Sequence, residues 1–401
     1  MPNVQSLKGL SVLEFSHTVM GPCAGLLLAE LGADVIKIEP APSGDRTRQL
    51  TGFASGFFAT FNRNKRSLAV NLKTVAGQKI IHRLIEDADV VIENYGPGTM
   101  EKLNCGWNTL RLLNDRLIYL SLKGYLKGPF ENKPALDEVV QFQSGLAYMT
   151  GPVGQPLRAG ASIVDILGAV FGIVGVQAAL RERDLTGEGQ RVGSALFESA
   201  AFMMASHIAG GAALNEIVPP MTARKGAWGI YDVFLSEDNQ QLFIGVTSDS
   251  QWLNFCSVFQ FDDLLTDDSL RTNALRCDSR DWLLPEISKR LAQISYEVLH
   301  HKCESAGVSW SPVVQPEQLL QNAHLLSDGG LVDTSLETAL NSVAPSTWLP
   351  ALPLEFGDER VRPDLSSQPP TLGEHTDDIL SSIGYSKKDI TCLKADLTVI
   401  G

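Results

Sequence analysis

The chain has 401 residues, of which 44% are hydrophobic, so it can bury a large core and is expected to form two or three domains. Its formal net charge is −13, and a field of that sign excludes chain-wide attraction to nucleic acid or to an anionic membrane. An anionic small ligand would therefore need a local basic patch.

The cysteines and histidines show no spacing typical of a metal site. Six cysteines are scattered without a C-x-x-C pair, and the seven histidines form no H-E-x-x-H motif. We therefore expect reduced, mostly buried thiols, a cytoplasmic protein and no metal. The adjacent His300 and His301 are expected to point apart, as neighbours on a helix do. The N-terminus lacks the apolar stretch of a signal peptide.

The first part of the chain reads as alternating strands and helices. A strand is predicted at residues 10–15, a helix at 23–31 and a second strand at 34–39. This β-α-β order requires a parallel sheet. Further strands are predicted at residues 68–71, 89–93 and 116–121, with a helix at 74–87. The sequence thus predicts an α/β fold with a Rossmann-like, doubly wound parallel sheet.

The most apolar run of the chain, residues 163–180, carries Asp165 near its start. The run is nearly long enough to span a bilayer, but Asp165, Gln177 and three glycines interrupt it, so we expect a buried core helix and no membrane contact. A carboxylate there is costly to desolvate unless the first-turn N–H groups and the helix dipole compensate. Two interpretations follow: a helix N-cap, or an oriented, charged nucleophile.

The alternation of strands and helices ends after Asp184, and the segment that follows has a different pattern of secondary structure. Residues 229–235 and 241–246 read as a β-hairpin, and residues 249–306 as helices. The predicted division is residues 1–224 for the N-terminal part of the large domain, 225–315 for a smaller α+β domain, and 316–401 for a segment that returns to the large domain. The chain from Ser309 onward is expected to pack back on that domain.

Several loops could bind a ligand, and each has an ordinary alternative. The loop at residues 16–22 follows a strand and precedes a helix, but it lacks G-x-G-x-x-G, which disfavours an NAD enzyme. The basic run at residues 62–67 could bind a phosphate, or it could be an ordinary solvated surface segment. The glycines within residues 93–98 would allow the backbone to approach a ligand closely. The alternative is an ordinary turn between a strand and a helix. Asp137 begins a helical stretch and by itself indicates a cap.

Short motifs along almost the whole chain resemble the class III CoA-transferases, the CaiB/BaiF family. They are residues 9–15, Gly21-Pro22, Leu31-Gly-Ala-Asp-Val-Ile-Lys-Ile-Glu39, Gly44-Asp45, Asn64-Lys-Arg-Ser67, Glu93-Asn-Tyr-Gly-Pro-Gly98, Ser144-Gly-Leu146, Thr150-Gly151, Thr186-Gly-Glu-Gly-Gln190 and Leu372-Gly-Glu-His-Thr376.

The resemblance implies that Asp165 is the catalytic nucleophile. Its carboxylate would form a mixed anhydride with the acyl group of a thioester and then an aspartyl-CoA thioester, before CoA passes to a free carboxylic acid. Acyl-CoA and that acid would be the binding partners, CoA being part of the substrate and no cofactor being tightly bound. The family fold is an interlocked homodimer, which is expected here too.

The resemblance also implies a set of CoA contacts. They are Thr18, Val19, Asn71, Lys73, Asn94, Tyr95, Gly96, Lys102, Ala135, Leu136 and Asp137. Lys102 is the first candidate for a CoA phosphate. Where the family often has Arg or Lys, this chain has Pro40 and Pro134. We therefore expect one phosphate contact either to be absent or to come from the basic run, whose cations are Arg63, Lys65 and Arg66.

Two departures from the family pattern narrow the activity. Racemases of the family carry a His where this chain has Leu136, and loss of that base argues against an α-methylacyl-CoA racemase. The glycine-rich loop of formyl-CoA:oxalate transferases has no counterpart here. The small domain and Tyr148-Met-Thr-Gly-Pro152 resemble the transferases that handle dicarboxylates of four to five carbons, and this resemblance makes a small dicarboxylate of the succinate or mesaconate type the expected acid. An acyl-CoA isomerase and a non-catalytic CoA-binding protein stay as alternatives.

Overall fold

A computed structural model describes residues 5–223, 226–338 and 344–401. The chain forms two compact units, one made of Met1–Thr222 together with Asn322–Gly401 and the other of Ala223–Gln321. The large unit therefore takes residues from both ends of the chain, and the small unit is inserted between them.

The elements are numbered in chain order. The strands are β1 (Ser11–Phe15), β2 (Asp34–Pro40), β3 (Arg66–Val70), β4 (Val90–Glu93), β5 (Ile118–Lys123), β6 (Arg191–Ala195), β7 (Ile230–Leu235), β8 (Gln241–Val246), β9 (Ser309–Pro312), β10 (Leu331–Ser335), β11 (Ser346–Pro350) and β12 (Val399–Ile400).

The helices are α1 (Met20–Glu30), α2 (Phe57–Asn62), α3 (Val75–Ile85), α4 (Thr99–Lys102), α5 (Trp107–Leu110), α6 (Asp137–Gln143), α7 (Leu146–Thr150), α8 (Ile163–Thr186), α9 (Leu196–Met203), α10 (Ala205–Leu214), α11 (Asp249–Phe259), α12 (Asp262–Leu265), α13 (Asn273–Asp278), α14 (Arg280–Leu291), α15 (Tyr296–Ala306), α16 (Ala323–Leu326), α17 (Thr376–Ser382) and α18 (Lys387–Ala395).

The large unit is built on a seven-stranded sheet in the order β12-β3-β2-β1-β4-β5-β6. All pairs are parallel except β12 with β3, so the predicted parallel sheet is confirmed. The chain moves outward from β1 to β3, then returns to the centre and moves the other way from β4 to β6. The loops after β1 and β4 therefore diverge and leave a crevice at this switch point, where ligands bind in doubly wound sheets.

Successive residues of a strand face opposite sides of the sheet, which here carry two separate cores. Val12 packs with α1 and α8 on one side, whereas its neighbour Leu13 packs with α3 on the other. The second core also holds Ile379 of α17 and Ile390 of α18. The C-terminal segment thus completes the core over β3 and the edge strand β12.

Three glycines on one face of α8 set how closely that helix approaches the sheet. A Cβ added at Gly168 would come within 2.4 Å of Met20, at Gly172 within 3.0 Å of Leu122, and at Gly175 within 2.6 Å of Val192. Their spacing of four and three residues keeps them on one face of the helix. A larger side chain at these positions would require α8 or its neighbours Met20, Leu122 and Val192 to move, so the glycines allow the close packing of this face.

The opposite face of α8 leaves an apolar stripe exposed, formed by Ile166, Val170 and Val174. Helix α10, which follows α9, also has no buried residue among its ten. By length and composition alone α8 could cross a bilayer, and 44% of its most apolar window is buried. The glycine face against the sheet identifies α8 as a core helix of the large unit with one uncovered side.

The small unit combines an antiparallel sheet, β7-β8-β9, with helices α11 to α15 around its own core. The predicted β-hairpin is confirmed, since β7 pairs with β8 over its whole length. The expectation that the chain from Ser309 packs back on the large domain is wrong, because β9 pairs with β8. Gly307, with a φ of 64°, ends α15 and turns the chain directly into β9.

All six cysteines are free, and Cys23, Cys105, Cys256 and Cys303 are buried. Burial raises the pKa of Cys23 to about 12, so this thiol stays protonated. The expectation of unpaired, mostly buried thiols is confirmed.

Candidate functional site

A cavity of about 670 Å³ lies in the large unit, at the switch point of the sheet. The loops after β1, β4 and β5 and the first turn of α8 form its walls. Nine of the residues expected at the site line this cavity: Thr18, Val19, Asn94, Tyr95, Gly96, Ala135, Leu136, Asp137 and Asp165. We call it the nucleophile cavity, after the role that the family resemblance implies for Asp165. The fold thus brings together residues that are up to 147 positions apart in the sequence.

A second cavity, of about 660 Å³, adjoins the first. Asn71 and Lys73 line it, together with the loop after β2. His17, Tyr95 and Gly96 line both cavities and form their common wall. The rings of His17 and Tyr95 stack with centroids 5.7 Å apart. One elongated ligand could therefore pass this wall and occupy both spaces.

The side chain of Asn94 locks the two loops that diverge at the switch point. Its Oδ1 accepts from the backbone N–H of His17 at 3.0 Å, and its Nδ2 donates to the His17 carbonyl at 2.9 Å. Gly21 allows this approach, because a Cβ there would lie 2.9 Å from the Asn94 amide carbon. Asn94 lines the cavity, but its amide is committed to holding the loop.

Asp165 lies inside the first turn of α8, and its own side chain does not cap the helix. The residue at the N-cap position, Ser162, makes no capping hydrogen bond with its side chain. Asp137 does so from α6, because its Oδ2 accepts from the N–H groups of Val164 at 2.8 Å and of Asp165 at 3.0 Å. The cap interpretation of Asp165 is therefore wrong, and its carboxylate stays available for chemistry.

Gln141 extends this arrangement to the segment before α8. Its Nε2 donates to Oδ1 of Asp137, and its Oε1 accepts from the N–H of Ala159 at 2.8 Å. Both carboxylate oxygens of Asp137 are thus in use. Sequence reasoning missed Gln141, although its spacing of four residues from Asp137 places both side chains on one helix face. We call Asp137 and Gln141 the α6 clamp.

The surroundings of Asp165 favour its neutral form. Burial, the charge of Asp137 and the charge of Glu138 together raise its pKa to about 7. The carboxylate therefore takes up a proton more readily than an ordinary Asp, so its environment opposes the charge that a helix start would favour. A carboxylate with a pKa this high is a stronger base and a better nucleophile than an ordinary Asp.

A buried ionic network lies beneath the loop after β1. Lys37 contacts Glu14 at 3.2 Å and Asp45 at 3.0 Å, and Lys65 contacts Glu14 at 2.6 Å. Gly25 makes room for it, since a Cβ there would lie 1.8 Å from the Glu14 carboxylate. Thr47 connects Asp45 with the site, since its Oγ1 donates to Asp45 and accepts from the N–H of Thr18 at 2.8 Å.

This network corrects the expectation for the basic run. Lys65 is completely paired with Glu14, and burial lowers its pKa to about 8. Arg63 is buried and bonded to Glu30. Arg66 pairs at the surface with Asp34 at 3.1 Å. A cation that neutralises a buried carboxylate cannot leave it for a phosphate without a large penalty, so Arg63 and Lys65 are structural residues.

Other cations frame the second cavity. Arg46 and Lys73 line it, both are exposed, and neither has an acidic partner within the described parts of the chain. Lys102 is exposed at the end of α4 and lies outside the lining of both cavities, whereas the adjacent Leu103 lines the second. Arg46 was missed by sequence reasoning, because it belongs to no basic run.

One group in the described residues could hold a metal ion, and it lies in the small unit. Glu297, His300 and His301 bring their ligand atoms within 4.8 Å of one another. The two imidazole rings are 4.0 Å apart, so the expectation that they point apart is wrong. All three side chains belong to the first two turns of α15, where the spacing of three and four residues gathers them on one side.

The doubly wound sheet thus places a carboxylate with a raised pKa in a cavity at its switch point. Leu136, which lines the cavity, offers no proton-transfer group at the position where a racemase would need one. The chain belongs to CoA-transferase family III, whose family model matches residues 7–376. It is therefore a CoA-transferase.

Known proteins resemble the chain over almost its full length. An acyl-CoA transferase of Fusarium pseudograminearum is 32% identical, covering 98% of this chain and 88% of that protein. A succinate–glutarate CoA-transferase of Agrobacterium fabrum is 30% identical, and the match covers 98% of this chain and 99% of that protein. The solved structure of a CaiB/BaiF family protein from Brucella suis matches with a TM-score of 0.83 at 27% identity, over 95% of this chain and all of that one.

The α6 clamp generates a prediction about stability. Asp137→Ala leaves the N–H groups of Val164 and Asp165 without their acceptor, so it should lower the free energy of unfolding by about 1–2 kcal/mol. Ser162→Ala is the control, because Ser162 makes no side-chain cap bond and its loss should cost nothing measurable. The measurement is thermal unfolding followed by circular dichroism. Equal melting temperatures for the two variants would contradict the capping role of Asp137.

Proposed function

We propose that this enzyme moves CoA from an acyl-CoA thioester to a free dicarboxylic acid of four or five carbons, with Asp165 as the covalent carrier. The observation that carries the proposal is the placement of Asp165, whose backbone is held by Asp137 while its carboxylate lines the cavity with a raised pKa. Nucleophilic catalysis requires this combination of a fixed position and an activated group.

The proposed reaction proceeds through two kinds of acyl intermediate. The Asp165 carboxylate attacks the thioester carbonyl, the C–S bond breaks, and a mixed anhydride and CoA thiolate result. The thiolate then attacks the aspartyl carbonyl, which releases the donor acid and leaves an aspartyl-CoA thioester. The carboxylate of the acceptor attacks that thioester, a second anhydride forms, and the thiolate attacks its acceptor carbonyl to give the new acyl-CoA. Asp165 is regenerated as a carboxylate, so no proton is consumed.

The two adjoining cavities support a location for CoA. The acyl end would occupy the nucleophile cavity, and the nucleotide end would occupy the second cavity across the wall of His17 and Tyr95. Lys73 and Arg46 are the free cations at the second cavity, and both suit phosphate oxygens. In this proposal Arg46 supplies the contact that Pro40 cannot make.

The choice of acid rests on the relatives. The Agrobacterium fabrum enzyme is named for succinate and glutarate, and it covers nearly the whole chain. We extend this substrate class to the present enzyme, with succinate-, glutarate- and mesaconate-type acids as candidates. We further propose that the enzyme is cytoplasmic, and that it works without a tightly bound cofactor or metal ion and without nucleic acid or a membrane as partner.

The exposed apolar stripe of α8 supports the proposal of a homodimer. Val174 is 61% exposed, and Phe202 of α9, which packs edge-on against Phe171, is 68% exposed. Contiguous apolar surface of this kind marks an interaction site in a protein whose cores are otherwise well buried. A second copy of the chain is the proposed occupant, in an interlocked arrangement.

The proposed function is tested by incubating the enzyme with succinyl-CoA and a panel of free acids that includes glutarate, mesaconate and oxalate. New acyl-CoA species, detected by mass spectrometry, should appear with the five-carbon acids. Asp165→Asn should abolish exchange. Because the reacting form is the carboxylate, the wild-type rate should rise with pH through about 7 and level off above it.

Two other outcomes would contradict the proposal. Exchange of the α-proton of an acyl-CoA with deuterated water, with no need for a free acid, would indicate an isomerase. Binding of CoA without any hydroxylamine-sensitive aspartyl intermediate would indicate a binding protein. Asp165→Glu is the matched variant, because it keeps the charge and moves the carboxylate by one methylene, which should leave only residual exchange.

The location of CoA predicts a separate effect on affinity. Arg46→Ala and Lys73→Ala should each raise the KM for acyl-CoA about tenfold, because each removes one charge-assisted hydrogen bond. The KM for the free acid should stay unchanged. Lys79→Ala is the control, since this exposed lysine of α3 lines neither cavity. Steady-state kinetics measure both constants. An unchanged KM for acyl-CoA in both variants would place the nucleotide elsewhere.

The proposed dimer predicts a mass of two chains by light scattering, twice 43.5 kDa. Val174→Glu puts a charge into the stripe and should shift the protein toward monomer. Val75→Glu is the control, because Val75 is 70% exposed but lies on α3, outside the stripe. A monomeric wild-type protein, or equal behaviour of the two variants, would argue against the α8 stripe as the contact.

A further inference from the structure

The nucleophile cavity must receive an acid that carries negative charge into a space already lined with carboxylates. Its acidic lining consists of Glu131, Asp137, Glu138 and Asp165. A dicarboxylate would add two more charges, and one of them takes no part in the chemistry. Burying that second charge requires a cation with free hydrogen-bond donors.

Three side chains of the lining are permanent cations, namely Lys123, Lys133 and Arg158. Lys123 is committed, because its Nζ lies 2.6 Å from Glu93 and donates to the Tyr95 carbonyl at 2.6 Å. Lys133 is exposed, with its ammonium 3.9 Å from the centre of the Phe130 ring. Neither lysine is therefore a half-buried cation with unused hydrogen-bond donors, because Lys123 is paired and Lys133 is exposed.

Arg158 has this property. Its side chain is 35% exposed, one guanidinium nitrogen donates to the Ala159 carbonyl at 3.3 Å, and the same nitrogen lies 3.6 Å from Glu138. The second distance is too long for a hydrogen bond. Among the residues that the structure describes, most of the five guanidinium donors of Arg158 therefore have no acceptor, and their planar fork matches a carboxylate.

The backbone on both sides of Arg158 is held in place. The N–H of Leu157 donates to the Ala147 carbonyl at 3.0 Å, and the N–H of Ala159 donates to Gln141 of the α6 clamp at 2.8 Å. The clamp also holds the N–H of Asp165. One short chain of hydrogen bonds thus fixes the nucleophile and the segment that carries Arg158.

Arg158, Glu138 and Asp165 line the same cavity. The charge of Glu138 raises the pKa of Asp165, and its carboxylate lies 3.6 Å from the Arg158 guanidinium. Arg158 is not among the groups that shift the pKa of Asp165, so its charge is not used to neutralise that carboxylate. Because both residues line one cavity, we place one carboxylate of a bound acid at Arg158 and the other at Asp165.

We propose that Arg158 binds the non-reacting carboxylate of dicarboxylic substrates and so determines the preference for dicarboxylates over monocarboxylates. This inference rests on the proposed CoA transfer to a dicarboxylate and names the residue that selects the acid. The same contact would hold the free carboxylate of a succinyl-CoA donor. The reacting carboxylate is left to Asp165, and Arg158 takes no part in bond making.

The test compares acids that differ only at the remote end, with acetyl-CoA as the donor. Arg158→Gln should raise the KM for glutarate roughly 10- to 100-fold, the loss expected for a hydrogen-bonded charge pair, and should change the KM for butyrate less than threefold. Arg158→Lys keeps the charge without the fork and should give an intermediate value for glutarate. Arg181→Gln is the control, because it removes an exposed arginine outside the cavity.

Equal effects on glutarate and butyrate, or no effect on either, would overturn the assignment. A readout independent of turnover is calorimetric binding of glutarate with CoA present, which Arg158→Gln should weaken while CoA binding is retained. In the wild-type protein, glutarate should likewise bind more tightly than its monoamide. If the wild-type protein transfers CoA to no acid but loses glutarate binding on Arg158→Gln, the proposed reaction fails and the assignment of Arg158 stands.

Discussion

The hydrogen bonds from the start of α8 to Asp137 are the constraint on which the site depends. A helix start leaves N–H groups without partners, and the nearest polar side chain normally accepts them. Here a carboxylate from another helix takes that role. Asp165 can therefore stand in the first turn without spending its own oxygens on the backbone. The cost is a second negative charge close by, and that charge helps to raise the pKa of Asp165. Positioning and activation thus have a common origin.

The buried charges below the β1 loop serve a related purpose. Burying an ion pair yields little net stability, but it strongly disfavours arrangements that leave one charge unpaired. Although burial alone would lower the pKa of Lys37, the carboxylates of Asp45 and Glu14 raise it above its usual value. Lys37 also donates to the Ser16 carbonyl at 3.0 Å. The loop that carries Thr18, with its left-handed φ of 68°, is thereby joined to the interior of the sheet.

Much of this arrangement could be predicted from the sequence, since strand and helix periodicity is local. The β-α-β pattern identified the sheet, and the family motifs led to Asp165 and to eight other residues of the cavity lining. The exceptions depend on pairing across the chain. The basic run containing Arg63 and Lys65 resembles a phosphate site until its acidic partners, 33 and 51 residues earlier, are known to lie beside it. Gln141 was missed although its spacing from Asp137 is local, because its contact with the N–H of Ala159 appears only in the fold, and Arg46 was missed because it belongs to no basic run. The rings of His300 and His301 lie close together although neighbouring residues on a helix normally point in different directions, because their side-chain rotamers bring the rings back to each other.

The glycine face of α8 has a consequence for how variants of this enzyme would be interpreted. Gly175 lies ten residues from Asp165, about 15 Å along the helix axis, and outside the lining of the nucleophile cavity. A side chain at Gly175 would meet Val192, and because a helix moves as a stiff rod, the displacement would be carried to its first turn. Reaction rates respond to shifts of about 1 Å at the reacting atoms. If Asp165 reacts as proposed, its position depends partly on a remote contact between α8 and the sheet, and inactivating substitutions are then expected along the whole length of α8.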